Sequence, residues 1–446
     1  MKRRMRMAGG LALVLLPALV ATSGGCWDRV EPDRMAAVIA LGLDRGEEQP
    51  LRVAAQISIP RLLAGGGRDG GGGGDGQPPF ANHVAEGRGV SEAMRILQEH
   101  SPRVLHLGHL QVVVVSEQLA RTGLAPILDY LTSDREARRI IQIAVSSCPP
   151  RDLLEVRTRL ENLPGVSVAE ELRHVPETIG LPDSPIIRFL NALHDEGIDP
   201  ILPVLHRVDA TGRIVERPPE AGEEAGRKAG QQAGQEGAGR GREGQGRAGQ
   251  AAGGGADGEG AVTIRVAGVA VFKDDRMVGS LNELESRGLA WLMGKLQRGI
   301  LVIPESLAGG GGPAFLNVRR AETKFEPRLA GGQPSMRVRL KVRADVMEWL
   351  TPAYDLTPAV ADHLEQAAAR TIADEIMATM SRLQKEFRSD VCGFGWSFYR
   401  RYPRVWRQDL GPRWDDIFAD LPVELEVKVH VSSAFFTWRS PARSWR

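Results

Sequence analysis

The chain has 446 residues, a formal net charge of +1 and three cysteines, with aromatics at only 5%. The near-neutral balance gives no electrostatic reason to expect nucleic-acid or polybasic membrane binding. Three thiols in a chain this long are not a disulfide framework, and the length fits two or three domains with real cores.

The first residues are basic (Lys2, Arg3, Arg4, Arg6), an apolar run follows over 11–20, and small residues over 21–25 lead to Cys26. That is the layout of a secretory signal. Its apolar run is much shorter than the ~20 residues that span a bilayer as a helix, so the segment 1–25 is expected to be removed. A cysteine directly after Gly24-Gly25 adds chemistry, because a thiol at the new N-terminus can carry a thioether-linked diacylglycerol. The stretch resembles a lipoprotein signal, which makes Cys26 the expected lipidation site. Each buried methylene contributes ~0.8 kcal/mol and one chain holds only marginally, so two or more acyl chains give stable attachment without a transmembrane helix. Removing the signal, which has four basic residues and no acids, takes the net charge from +1 to −3. Cys148 and Cys392 then remain, read as unpaired thiols packed as small hydrophobes.

Residues 26–208 read as an N-terminal α/β domain. Apolar, β-prone runs over 35–44 and 51–60 flank a polar turn and form a hairpin. A Gly-rich insert over 64–79 is expected to be flexible and solvated. Val90, Met94 and Leu97 share one helix face, and LQVVVVS over 110–116 is apolar on both sides, as a buried central strand would be. A helix over 117–131, a strand over 139–145 and a helix over 184–194 with Ile186, Ile187, Leu190 and Leu193 inward complete the domain. Residues 209–261, rich in Gly, Ala, Gln, Arg and Glu without apolar periodicity, read as a disordered linker.

A middle β-β-α-β unit is expected over 262–307: a strand, a turn at Asp274-Asp275, a second strand, and a helix capped by Asn282 with Glu285 three residues on. The C-terminal domain, 314–438, has the cleanest patterns. Met336, Val338, Leu340, Val342 and Ala344 alternate with Arg337, Arg339, Lys341 and Arg343, and Val423 to Val431 alternate with Glu424, Glu426, Lys428 and His430. Basic on one strand and partly acidic on the other, the outer faces favour adjacent pairing. Between them Leu364, Ala368, Ile372, Ile376, Met380, Leu383 and Phe387 form the stripe of a long amphipathic helix. The fold class is therefore α+β and multidomain: a mixed-sheet N-terminal domain, a small middle unit, and a C-terminal antiparallel sheet packed by that helix.

Catalytic signatures do not appear. His100, His106 and His109 cluster locally, but no Cys, Asp or Glu joins them at metal-ligand spacing. There is no G-x-S-x-G elbow, H-E-x-x-H pair or P-loop, so no catalytic residue, metal or cofactor is assigned. The unusual segment is 390–418, which sets Phe394, Trp396, Phe398, Tyr399, Tyr402, Trp406, Trp414 and Phe418 among arginines. Aromatics interleaved with arginine suit an interface. Equally, the rings can lock the long helix onto the strands, with Gly393 and Gly395 permitting a tight turn. Gly393, Phe394, Gly395, Trp406 and Trp414 are thus an interface or structural motif.

Taken together, several stretches resemble the Ger(x)C family, the lipoprotein C subunits of spore germinant receptors. They are Gly25-Cys26-Trp27-Asp28-Arg29 with Glu31, Gly108-His109-Leu110, LTSDREAR over 131–138, VAGVAVFKDDRMVGSL over 266–281 and ESRGLAWLMGK over 285–295. The last third adds Gln384-Lys385, Asp390, Gly393-Phe394-Gly395, Pro403, Trp406, Trp414 and Phe418. The resemblance implies an anchored three-domain α+β protein on the outer face of the spore's inner membrane, held to the bilayer through acylated Cys26. It also implies assembly with A and B membrane subunits, no binding of nucleic acid and no catalysis. Two other classes stand beside this reading: a lipid-anchored solute-binding protein and a cell-envelope hydrolase.

Overall fold

The computed structural model describes residues 34–64, 78–158, 161–178, 180–209, 211–215, 262–294, 296, 298–308, 312–350 and 357–433. The expected signal over 1–25, Cys26, residues 65–77 of the Gly-rich insert and residues 216–261 of the linker lie outside the described residues.

The expected hairpin forms: β1 (Met35–Arg45) and β2 (Leu51–Ser58) pair antiparallel, and β3 (Phe80–Gly87) adds to β2 in the same sense. On its other side β1 pairs parallel with β4 (Val104–His106) and β5 (Val112–Ser116), and β6 (Gln142–Ser146) and β7 (Ile201–Val208) continue in parallel. Val112 and Val114 enter one core while Val113 and Val115 enter another, and all four are fully buried. The unbroken apolar run of β5 therefore reflects burial on both faces.

Helix α1 (Val90–Glu99) buries Val90, Met94 and Leu97 as its pattern predicts. The single helix expected over 117–131 is two, α2 (Glu117–Thr122) and α3 (Ala125–Ser133). They break at Gly123, whose φ of 121° lies where a side chain is strained. Helix α4 (Pro164–Thr178), which the sequence reading did not assign, carries Pro176 inside it and buries Val168, Ala169, Leu172 and Val175 at helical spacing. Helix α5 (Ile186–His194) buries Ile186 and Phe189, with Leu190 and Leu193 packed beside them.

Beyond the linker, β8 (Thr263–Lys273) pairs antiparallel with β7, and β9 (Arg276–Leu281) with β8. The first sheet thus runs β3-β2-β1-β5-β6-β7-β8-β9, with β4 beside β1. This corrects the compact unit expected over 262–307, which is divided between two sheets. Val269, Ala270, Val271 and Phe272 are buried on both faces, a state that a strand reaches inside a larger sheet and not in a small free unit. The first body accordingly extends past residue 208. Residues 211–215 also belong to it: Asp209 Oδ1 accepts from the Thr211 and Arg213 amides, and the Val215 amide donates to the Arg207 carbonyl. The remaining pieces lead onward. Helix α6 (Glu283–Met293) starts at the expected Asn282–Glu285 capping box with both reciprocal bonds at 2.9 Å, and β10 (Gly299–Ile303) opens the second sheet.

The second sheet has the order β10-β11-β12-β13. Strands β11 (Ala314–Ala330) and β12 (Gln333–Trp349) form a long hairpin turning on Gly331 and Gly332, and β13 (Val423–Ser433) follows β12. The two alternating segments are neighbours, but they run parallel, from Met336↔Val423 to Val346↔Ser433. The sheet is therefore mixed where an antiparallel one was expected. One-faced alternation carries no information on direction, whereas the long crossover from 350 to 422 is what a parallel pair requires. The expected charge complementarity is present: Arg337 lies 3.3 Å from Glu424, and both Arg337 and Arg339 lie 3.4 Å from Glu426.

Helix α7 (Pro358–Ser381) lies on the inner face and buries Leu364, Ala368, Ile372, Ile376 and Met380. A π-helical turn over Arg382–Phe387 then seats Leu383. Helix α6 crosses α7 at Gly288, where the Glu375 carboxylate, 3% exposed, accepts from Arg287 Nε at 2.9 Å and Trp291 Nε1 at 2.8 Å. One apolar core continues from Val112 and Val114 of the first sheet through α6 to the inner face of the second.

A Cβ on Gly288 would stand 2.1 Å from Thr379 Oγ1 and 2.4 Å from the Glu375 carbonyl oxygen, so α6 and α7 would have to part. Gly288→Ala is predicted to lower unfolding stability in urea by on the order of 2 kcal/mol. Gly89, the extended N-cap of α1 with nothing within 4 Å, is the control without a clash: Gly89→Ala should cost less than about 1 kcal/mol.

Candidate functional site

The aromatic segment folds around one carboxylate. After α7 the chain turns left-handed at Arg388 and again at Gly393 (φ 79°), which starts α8 (Phe394–Arg401). That turn aims three successive amides at Asp390: those of Gly393 and Phe394 reach Oδ1 at 2.9 and 3.1 Å, and that of Gly395 reaches Oδ2 at 2.7 Å. Trp414 Nε1, at the start of α9 (Trp414–Asp420), donates to Oδ2 at 3.0 Å. Burial pushes the Asp390 carboxyl up to about 6, against the pull of these donors, and nearby Asp199 adds to the rise.

The first lobe supplies the other half of the junction. The loop after α5 presents Gly197 (φ 72°), and its carbonyl accepts from the Trp396 amide at 3.0 Å. Asp199 exchanges main-chain bonds with Asp390: its amide donates to the Asp390 carbonyl at 2.9 Å and its Oδ2 accepts from the Asp390 amide at 2.8 Å. Ser389 Oγ reaches the Phe272 carbonyl of β8 at 2.8 Å, and Trp406 Nε1 reaches Glu196 at 2.5 Å. A Cβ on Gly197 would lie 2.6 Å from the Gly395 backbone, and one on Gly395 would lie 2.7 Å from both Gly197 Cα and Trp414 Nε1. Both positions therefore need glycine for close approach.

All five residues singled out in the sequence come together here. Phe394, Trp406 and Trp414 are buried, with Phe394 edge-on to Phe325 of β11 and the two indoles 5.1 Å apart. Trp396, stacked on Tyr399, is the exposed member. The sequence reading missed Glu196, Gly197, Asp199 and Lys273. Acids flanking a glycine over 195–199 signal a turn, but nothing local says what the turn meets.

Beside the junction lies a groove of about 440 Å³ lined by Asp195, Glu196, Asp199, Lys273, Arg407 and Asp415. Lys273 Nζ bridges Asp415 at 2.5 Å and Asp199 at 3.2 Å. Burial works to lower this ammonium, but the two carboxylates outweigh it and keep Lys273 charged. A second cavity, about 550 Å³, holds His206, whose Nδ1 lies 2.8 Å from Ser147 Oγ and whose Nε2 lies 2.8 Å from the Ala267 carbonyl. The carbonyl fixes the proton on Nε2, so the hydroxyl donates to Nδ1. Burial lowers the His206 pKa, and a main-chain oxygen holds the ring where hydrolases use a carboxylate. His106 and His109 meet edge-on, and His106 Nδ1 pairs with Glu136 at 2.7 Å. Among the described residues no group of three or more His, Cys, Asp or Glu is placed to hold a metal. Cys148 and Cys392 are both free thiols, and burial raises the pKa of each.

Asp390→Asn turns an amide donor toward donors and is predicted to lower stability by on the order of 3 kcal/mol. Because the folded carboxyl titrates near 6 and the unfolded one near 3.8, its contribution is largest below pH 4 and falls as pH rises through 6. Urea unfolding of both proteins should therefore show the stability gap narrowing between pH 4 and pH 7. A gap that widens over that interval would mean that the four donors outweigh burial.

Comparison with known proteins covers nearly all of this architecture. Residues 28–207 match the family described as "Spore germination protein N-terminal domain", and residues 267–434 match "Spore germination B3/ GerAC like, C-terminal". Spore germination protein KC of Bacillus subtilis (strain 168) is 25% identical over 428 residues, covering 94% of this chain and 95% of that protein. The putative spore germination protein YfkR of the same organism is 26% identical, covering 93% of each. The crystal structure of the GerBC protein superposes with a TM-score of 0.51 at 15% identity, over 88% of this chain and 96% of that one, which supports the α+β fold with two sheets. The chain belongs to the Ger(x)C family of spore germination proteins, the group that its Cys-Trp-Asp-Arg and Gly-Phe-Gly motifs resemble.

Proposed function

We propose that this chain is a non-catalytic, lipid-anchored subunit of a spore germinant receptor, attached through Cys26 to the outer face of the spore's inner membrane and assembled with A and B membrane subunits. The match of both halves of the chain to spore germination families carries the reading. The anchor rests on the basic start, the short apolar run and the Gly24-Gly25-Cys26 junction. No helix among the described residues is long and apolar enough to cross a membrane, so attachment through acyl chains is the economical arrangement. The Asp390 junction serves this role as a rigid hinge-free joint that lets two lobes meet partners as one body. Gly393, Phe394, Gly395, Trp406 and Trp414 are its structural parts, and Trp396 is the residue left free to touch a neighbour.

Cys26→Ala should move the protein from the detergent phase to the aqueous phase in Triton X-114 partition and abolish incorporation of labelled palmitate. Unchanged partition would place the attachment elsewhere. Saturable binding of one small germinant to the unacylated chain in a calorimeter would replace the scaffold reading with solute capture.

A further inference from the structure

The outer face of the second sheet is exposed, and its charges are arranged against the stability of the sheet. Pairing places Arg343 of β12 directly opposite Arg320 of β11 on one side and His430 of β13 on the other. In the next row Lys341 stands opposite Lys428. Like charges facing each other across strands are destabilising.

The acids nearby take up the facing residues and, among the described residues, leave Lys341 and Arg343 without a partner. Glu322, opposite Lys341, is held by Arg320 at 2.5 Å; Glu326 is held by Arg339; Asp345 is held by Arg319. Glu424 and Glu426 are held by Arg328, Arg337, Arg339 and Lys428, and His430 by Glu365. Among the described residues Lys324, Lys341 and Arg343 make no ion pair, and all three are exposed.

Next to this basic band the same face turns apolar. Ile300 and Val302 of the edge strand β10 are 51% and 37% exposed, Val302 is paired with Phe315, and Met347, in a bulge of β12, is 58% exposed; Glu348 stands beside Phe315. A basic band beside an apolar rim is the composition that binds the interface of an acidic bilayer. The proposed acyl anchor keeps this lobe beside a bilayer at high effective concentration, which favours lipid over an acidic protein segment as the occupant.

We infer that this face, through Lys324, Lys341 and Arg343 with the Ile300, Val302 and Met347 rim, docks on anionic phospholipid headgroups. The inference rests on the proposed membrane location, and it makes the second lobe a contact surface of its own, independent of the acyl chains. The test uses residues 27–446, which contain every described element and lack the lipidation site, so the result does not depend on whether Cys26 is acylated.

Sedimentation with vesicles of phosphatidylcholine containing roughly a third phosphatidylglycerol should show binding about tenfold or more tighter than with phosphatidylcholine alone, weakening as salt is raised. The exposed double variant Lys341→Glu/Arg343→Glu should lose about tenfold of that binding with an unchanged melting curve. The separate variant Ile300→Ser/Val302→Ser should weaken binding without altering its salt dependence. Equal binding to both vesicle types, or full binding by the charge-reversed variant, overturns the assignment. So does capture of polyglutamate with no vesicle binding, which would give the face to an acidic protein segment.

Discussion

Asp390 is bonded on its carboxylate only to donors, and its main chain is held from the other lobe. Three are amides of the turn that follows it and one is the indole of Trp414, while its own main chain is clasped by Asp199 of the first lobe. An apolar core spans both lobes, but packing alone tolerates small rotations when volume is kept. Hydrogen bonds across the junction do not, because each one lost leaves a buried polar group unpaired: Asp390 with Asp199, Trp396 with Gly197, Ser389 with Phe272 and Trp406 with Glu196. The orientation of the lobes is thus set at this junction. Gly197 and Gly395 are the condition for it, since a Cβ on either would push the two backbones apart.

The junction lies where it does because of how β12 and β13 pair. Parallel neighbours need the chain to travel back along the sheet, and residues 350–422 make that journey as α7 going one way and a compact run of short turns returning. The return has to be folded into little length, which is what the two left-handed residues and the clustered rings accomplish. Asp390 sits at the reversal, close to the ends of β8 and α5, so the topology of the second sheet delivers the carboxylate to the first. Cys392 and Ser389 are buried with it.

Much of this was legible where a pattern is local. The β1–β2 hairpin, the doubly buried β5, the Asn282 capping box and the α7 stripe all follow from period, cap or run length over a dozen residues. What was not legible depends on distance. The linker separates β7 from β8 in sequence, so the continuity of the first sheet across it is invisible to any window. A bulge at Arg319 of β11 shifts its apolar face and erases the alternation that marks β12. At the junction, the rings, glycines and Asp390 stood out by composition, but Asp199 and Gly197 are an ordinary turn until the second lobe meets them. Direction of pairing escaped for a simpler reason: side-chain alternation is the same in parallel and antiparallel strands.

The second sheet also shows why net charge is a poor guide to surface chemistry. Its strands alternate, so every apolar residue committed to α7 places a charged one outward, and the identity of that charge is unconstrained by the core. Near one end the outward charges pair off, Arg337 with Glu424 and Arg339 with Glu426. Toward the other end Glu426 takes up Lys428 and Glu322 takes up Arg320, and Lys341 and Arg343, which face those two cations, are left over. A chain under selection for stability alone has an inexpensive remedy, since a glutamate at 343, between Arg320 and His430, would cost the inner face nothing. Repulsion kept at exposed positions beside an apolar rim therefore points outward, to an anionic surface that the sheet meets rather than to anything inside the fold.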